Sequence, residues 1–77
     1  MKLRAWRAQR VLTAQQLAER AGVSAATIYA IERGRELPRP RTAQKLAAAL
    51  AVDPMDIDEV RAYAERQAGS NEDAPAG

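Results

Sequence analysis

Apolar residues recur every three or four positions along most of the chain, which is the spacing of residues on one face of an α-helix. Leu3 and Trp6 show this spacing near the start, and Leu46 and Leu50 show it later. No stretch alternates apolar and polar residues with a period of two, the pattern typical of strands. The sequence therefore predicts an all-α fold of five helices.

The second predicted helix has a complete start and a defined end. Thr13 stands at the N-cap, and Gln16 is placed three residues later to close a capping box with it. Leu12 and Leu17 flank this start with the spacing of a hydrophobic staple. Gly22 stands where a left-handed residue ends a helix. Helix 2 is therefore predicted over residues 14–21.

The third predicted helix follows after a very short turn. Ser24 is its N-cap, Val23 is spaced to staple onto Ile28, and Gly34 marks its end. A turn of three or four residues containing Gly, here Gly22 to Ser24, is the arrangement that presents a second helix to the major groove of DNA. Similar turns also join helices that never meet DNA, so the turn alone does not decide the function.

Prolines and apolar stripes mark the other helices. Helix 1 is predicted over residues 2–9, and Pro40 suits the first turn of a helix 4 that continues to about Leu50. Asp53 and Pro54 are predicted to open helix 5, whose apolar pattern fades near Gln67. Residues 69–77 are small, acidic and contain Pro and Gly, which predicts a disordered tail after a folded domain of residues 1–68.

Composition removes several classes of function. The 77 residues include no Cys and no His, so the chain lacks thiolate zinc ligands, a cysteine nucleophile and the usual general base. We therefore predict no enzymatic activity, no metal and no cofactor. No apolar run approaches the roughly 18 residues of a membrane-spanning helix. The absence of Cys fits a reducing compartment, which predicts a cytoplasmic protein.

The small net charge of +2 conceals an uneven distribution. Residues 1–50 contain ten Lys or Arg and three Asp or Glu, a net +7, whereas residues 51–77 contain two and seven, a net −5. A basic body with an acidic end favours a polyanion-binding face, although a solubilising mixture of charges would look the same. Five basic residues cluster from the end of helix 3 to the start of helix 4: Arg33, Arg35, Arg39, Arg41 and Lys45.

One motif is highly specific. Leu17-Ala18, then residues 21–24 (AGVS), and then residues 31–34 (IERG) stand at fixed spacing, and Pro38 and residues 46–50 (LAAAL) continue the pattern. In this pattern the chain resembles the Cro/C1 (XRE) helix-turn-helix family over about residues 3–60. The resemblance implies a five-helix lambda-repressor-like DNA-binding domain, in which helices 2 and 3 form the helix-turn-helix. It also implies a homodimer on a short palindromic operator and an ion pair between Arg7 and Glu32.

The resemblance and the helical register together assign the DNA contacts. Helix 3 would lie in the major groove, and the positions predicted to face base edges are Ala25, Ala26, Thr27, Tyr29 and Ala30. These side chains offer methyl groups and hydroxyls but no bidentate hydrogen-bonding pair, so specificity is expected from thymine methyl contacts and DNA shape. The residues predicted to bind phosphates are Thr13, Gln15, Ser24, Arg33, Arg35, Arg39, Arg41 and Lys45.

Two departures from the family pattern bear on these assignments. The family often has Gln at the position of Ala14, where it contacts the DNA backbone, so Gln15 is the substitute predicted here. The family commonly has Gly at the position of Val11, and a β-branched residue tolerates positive φ poorly. The link between helices 1 and 2 is therefore expected to differ from the family geometry.

Three hypotheses on function remain open from the sequence. The first is a transcriptional regulator, acting as a repressor, that binds double-stranded DNA. The second is an antitoxin that binds both its operator and a toxin, and the third is a protein-interaction module that has lost DNA reading. A stripe formed by Val60, Tyr63 and Ala64 is the predicted dimer interface, with closure of the monomer core as the alternative.

Overall fold

Five α-helices and one short 3₁₀ helix form the part of the chain described by the structure, a computed structural model that covers the backbone of residues 1–73 and the side chains of residues 1–68. The helices are α1 (Leu3–Gln9), α2 (Ala14–Ala21), α3 (Ala25–Glu32), α4 (Pro40–Leu50) and α5 (Asp58–Asp73), with the 3₁₀ helix at Pro54–Asp56. This confirms the all-α, five-helix prediction.

The predicted starts of α2 and α3 are confirmed in atomic detail. The Thr13 hydroxyl accepts a hydrogen bond from the Gln16 amide at 3.0 Å, and the Gln16 side chain accepts one from the Thr13 amide at 2.9 Å. Gly22 has φ +73° and ends α2. The Ser24 hydroxyl accepts from the Thr27 amide at 3.1 Å. Local sequence thus fixes both ends of the turn between these helices.

The fifth helix differs from its prediction at both ends. Asp53 and Pro54 open the 3₁₀ helix instead, Ile57 is extended, and α5 begins at Asp58. The extended backbone brings the Ile57 side chain to full burial, which outweighs the local preference for one continuous helix. At the other end α5 continues to Asp73; Glu, Arg, Gln and Ala at residues 65–68 favour helix without an apolar face, and nothing in the local sequence explains the last turn. Residues 74–77 of the predicted tail lie outside the described residues.

A single hydrophobic core joins all five helices. Its fully buried side chains come from α1 to α4 and from the segment before α5: Leu3, Leu17, Ile28, Ile31, Leu46, Leu50 and Ile57. Helix α5 contributes Val60, which is 7% exposed and packs within this core. Val60 therefore helps to close the monomer core, the alternative that the sequence left open, and it also lines a groove with Tyr63 and Ala64. Sequence periodicity marks the apolar face of a helix but does not distinguish a core contact from an outer one.

Hydrogen bonds between α1 and the start of α5 fix the orientation of α1. Glu59 accepts from the Leu3 amide at 2.8 Å, and the Met1 carbonyl accepts from the Asp58 amide at 2.9 Å. The half-buried Trp6 indole donates to the Asp56 carbonyl at 3.0 Å. Each helix therefore satisfies donors at the start of the other, and α1 is held with one face against α3.

The link between α1 and α2 keeps a left-handed residue despite the substitution of Val11 for the family's Gly. Val11 has φ +56°, so the left-handed conformation that its β-branched side chain argued against is present. The Leu12 amide donates to the Arg7 carbonyl and the Val11 amide to the Ala8 carbonyl, both at 3.0 Å, which is a Schellman motif. These hydrogen bonds hold Val11 in a conformation that its β-branched side chain disfavours.

Replacing Val11 with Gly is expected to raise the free energy of unfolding by about 1 kcal/mol. Relief of the left-handed strain, about 1–3 kcal/mol, exceeds the added flexibility of the unfolded chain, about 0.4–1 kcal/mol. Val11 is 86% exposed, so no packing is lost. Urea unfolding would measure the change, with Ala48→Gly on the exposed side of α4 as a control expected to lose about 1 kcal/mol. An equal loss of unfolding free energy in Val11→Gly and Ala48→Gly would show that the Val11 backbone is not strained.

Candidate nucleic-acid interface

Helix α3 presents one side to the core and a smooth side to solvent. Ile28 and Ile31 are buried, whereas Ala26 is exposed, Ala30 is half-buried and Tyr29 is 45% exposed. The outer side therefore carries small side chains and one ring. Such a surface allows another molecule to approach the helix backbone closely.

Ala25 does not share this outer face. It is half-buried and packs against the core beside Val23, which corrects its placement among the residues that face outward. Two residues correspond to about 200° around a helix, so Ala25 and Thr27 lie on opposite edges of α3. Ala25 is the first residue after the Ser24 N-cap, and its edge turns toward the core.

The other four residues predicted to read bases lie on or beside the outer face. Ala26 and Ala30 form its middle, Tyr29 lies toward one edge, and the half-buried Thr27 lies at the other. The structure thus brings Ala26, Thr27, Tyr29 and Ala30 to one accessible side of α3.

The hydroxyls of Ser24 and Thr27 are paired with each other. Their oxygens lie 2.9 Å apart, and either one is able to donate to the other. Because the pair holds two hydroxyl hydrogens and uses one internally, one remains for an outside acceptor. The pair therefore offers a single hydroxyl donor at the N-terminal end of α3.

Tyr29 and Arg33 form a second pair on the outer face. The Arg33 guanidinium carbon lies 5.4 Å from the centroid of the Tyr29 ring, within the range of a cation–π contact. The ring restrains an arginine that is otherwise exposed. Arg33 is thereby held near the outer face of α3.

Helices α2 and α4 begin with backbone amides that are free to donate to an anion. The capping box of α2 occupies Thr13 and Gln16, while the amides of Ala14 and Gln15 donate no hydrogen bond within the described part of the chain. Helix α4 has no side-chain cap. Such N-termini favour phosphate. Ala14 itself is buried, so the exposed Gln15 and Thr13, whose hydroxyl keeps a hydrogen to donate, have the side chains available there.

The loop after α3 carries an exposed basic strip. Gly34 has φ +75° and the Arg35 amide donates to the Ala30 carbonyl at 2.8 Å, which closes the end of α3. Pro38 is buried and anchors the loop. Within the described residues none of the strip's side chains has an acidic partner within 4 Å: Arg33, Arg35, Arg39, Arg41 and Lys45.

The ion pair between Arg7 and Glu32 is present and bidentate. Arg7 donates from Nε to Glu32 Oε2 at 2.8 Å and from Nη2 to Oε1 at 3.0 Å, and its Nη1 donates to the Leu12 carbonyl at 3.1 Å. The side chains are 18% and 6% exposed. The hydrogen bond from Arg7 to Glu32 raises the pKa of Arg7. A raised pKa stabilises the fold at all pH values below the arginine's ordinary pKa, so the contribution is constant near neutrality.

An arginine outside the predicted site has a structural contact of its own. Arg10 donates from Nε to the Leu50 carbonyl at 2.9 Å and lies 5.2 Å from the Trp6 ring centroid. Arg10 therefore provides a hydrogen-bond donor to a backbone carbonyl at the C-terminal end of α4. Sequence spacing gives no sign of this contact, because Arg10 and Leu50 are forty residues apart.

An apolar groove runs between the start of α4 and α5. Its volume is about 440 Å³, and Tyr63 and Ala64, both half-buried, line it with Pro40 and Ala43. All three predicted dimer residues line this groove, and Val60 is the most deeply buried of the three.

Metal-binding clusters and membrane spans are both absent from the described residues. That part of the chain contains no group of three or more His, Cys, Asp or Glu placed to hold a metal ion. Nor does any helix within it have the length and hydropathy to cross a membrane.

Comparison with known proteins agrees with this geometry. A family model described as a helix-turn-helix domain matches residues 1–60. The HTH-type transcriptional repressor RghR of Bacillus subtilis (strain 168) is 54% identical over 52 residues, covering 66% of the chain and 38% of RghR. The uncharacterized HTH-type transcriptional regulator RghRB of the same organism is 52% identical over 52 residues, covering 66% and 37%.

The match to these relatives is partial. The chain spans little more than a third of the length of either one. No solved structure matches the chain significantly. The family model covers well over half of the chain, including α1 to α4. The chain therefore belongs to the helix-turn-helix domain family.

Proposed function

We propose that this domain binds double-stranded DNA and regulates transcription as a repressor, with α3 in the major groove. The observation that carries the proposal is the smooth outer face of α3 beside a strip of exposed, unpaired basic side chains among the described residues. A helix with small outer residues enters a groove about 12 Å wide without steric conflict. The names of the two relatives, a transcriptional repressor and a transcriptional regulator, support the same function.

Base recognition by this face is proposed to depend on shape and methyl contacts. Ala26 and Ala30 offer methyl groups to thymine, and the Ser24–Thr27 pair and Tyr29 offer hydroxyls. None supplies the bidentate contact that discriminates guanine or adenine by about 1–3 kcal/mol. Affinity would then come mainly from phosphate contacts by the predicted set: Thr13, Gln15, Ser24, Arg33, Arg35, Arg39, Arg41 and Lys45.

A homodimer is proposed to place two copies of α3 on a palindromic operator. The groove lined by Tyr63 and Ala64 is an accessible apolar surface, as a dimer contact requires. Two-fold symmetry would set the half-sites about one helical turn apart.

Selection of bound sequences from random duplex DNA would test this function. We expect two inverted, T-rich half-sites with centres about 10 base pairs apart. A single half-site would contradict the dimer and leave DNA binding in place. Failure to enrich any sequence, together with no salt-dependent binding to bulk duplex, would contradict the function itself and favour a protein-interaction module.

A further inference from the structure

A second basic site lies between α1 and α3 and shares only Arg33 with the strip already described. This arginine notch has a volume of about 190 Å³ and is lined by Arg4, Arg7, Tyr29, Glu32 and Arg33. That volume is several times the roughly 30 Å³ of one water molecule in the liquid. The notch is therefore large enough to admit an oxyanion.

The notch has two positive charges that the described part of the protein does not neutralise. Arg7 is neutralised by its bidentate contact with Glu32. Arg4 and Arg33 are both exposed, and within the described residues neither has a carboxylate within 4 Å. Two guanidinium groups at one opening, one of them restrained by the Tyr29 ring, suit a phosphate.

The notch lies at one edge of the outer face of α3, the face proposed to enter the major groove. The loop and the start of α4 meet α3 at the edge of Thr27, where Thr27, Arg39 and Thr42 line a small cleft. Thr27 and Tyr29 are about 200° apart around the helix. The arginine notch therefore lies at the opposite edge of α3 from the loop and the start of α4, with Ala26 and Ala30 between them.

We propose that Arg4 and Arg33 bind a DNA phosphate on the strand across the major groove from the one bound by Arg39 and Arg41. A helix inside the major groove has a phosphate backbone along each edge, and this domain has unpaired arginines along both edges of the described α3. The inference rests on the proposed DNA binding. It adds α1 to the binding surface and assigns Arg4, which the sequence did not single out.

The test is a salt titration of duplex binding with Arg4→Gln and Arg33→Gln. Each variant is expected to bind about tenfold more weakly and to flatten the slope of log K against log salt by about 0.9. Arg4→Lys keeps the charge and is expected to keep the slope. Arg20→Gln is the matched control. Arg20 is exposed and lies about 10 Å along α2 from Thr13, which caps the helix end whose free amides favour phosphate.

Neutral methylphosphonate linkages then identify the strand. One linkage that weakens the wild-type complex should weaken the Arg4→Gln and Arg33→Gln complexes less, because each has lost one of the two arginine contacts to that phosphate. The same linkage should weaken the Arg41→Ala complex as much as the wild-type complex. An Arg4→Gln slope equal to that of Arg20→Gln would overturn the proposal. So would finding that the linkage whose effect shrinks in Arg4→Gln lies on the same strand as the linkage whose effect shrinks in Arg41→Ala. If Arg41→Ala flattens the slope and Arg4→Gln does not, only this inference fails. A wild-type chain without salt-dependent binding would contradict both proposals.

Discussion

Replacing Glu32 with Gln is expected to lower the free energy of unfolding by about 2 kcal/mol, the contribution of a charge-assisted hydrogen bond in a part-buried pair. The change leaves the Arg7 guanidinium, whose side chain is only 18% exposed, without its counter-charge. A domain of this size has a total stability of roughly 4–11 kcal/mol, so the loss is a large fraction of it. Thermal and urea unfolding, followed by circular dichroism, would measure it.

Two further variants separate the buried pair from a general effect of losing a carboxylate. Glu36→Gln removes an exposed carboxylate from the loop and is expected to change stability by less than about 0.5 kcal/mol. The double variant Arg7→Met with Glu32→Leu removes both charges and is expected to recover much of the loss. Equal effects of Glu32→Gln and Glu36→Gln would show that the ion pair does not stabilise the fold.

Features set by neighbouring residues were predictable from the sequence. The capping box of Thr13 and Gln16 joins residues three apart, and Gly22 and Gly34 adopt the left-handed conformation that ends a helix. The Arg7–Glu32 contact joins distant residues, and it was expected because the family pattern implied it and an arginine on an apolar stripe requires a carboxylate. Local chemistry and family pattern together thus account for the helix-turn-helix unit.

Features set by packing between distant segments were not predictable. The sequence placed Ala25 on the outer face of α3, yet it packs inward, and the sequence could not decide whether Val60 would help to close the core. Full burial of Ile57 separates the 3₁₀ helix from α5. The arginine notch depends on α1 lying against α3, which hydrogen bonds to Glu59 and Asp58 secure. Helical periodicity specifies a face but not the neighbour that covers it.

Replacing Ala26 with Glu is expected to weaken duplex DNA binding by about 100-fold or more while the domain stays folded. The substitution places a carboxylate on the exposed side of α3, where it would face the phosphates and base acceptors of the groove at a cost of several kcal/mol. The same carboxylate lies in the first turn of α3, where the helix dipole favours negative charge. Mobility shift on a nonspecific duplex at about 0.1 M salt would measure the affinity, and thermal unfolding would verify the fold.

Ala48→Glu is the matched control for this substitution, with the same change in size and net charge. Ala48 is exposed on α4 and lies about 12 Å along the helix from its N-terminus, away from the amides proposed to face phosphate. A general loss of positive charge would weaken both variants by the same modest factor, since screened charges act weakly beyond about 10 Å at 0.1 M salt. If α3 enters the groove, the Ala26→Glu variant must bind DNA far more weakly than the Ala48→Glu variant does. Equal affinities of the two variants would place the DNA on another face of the domain.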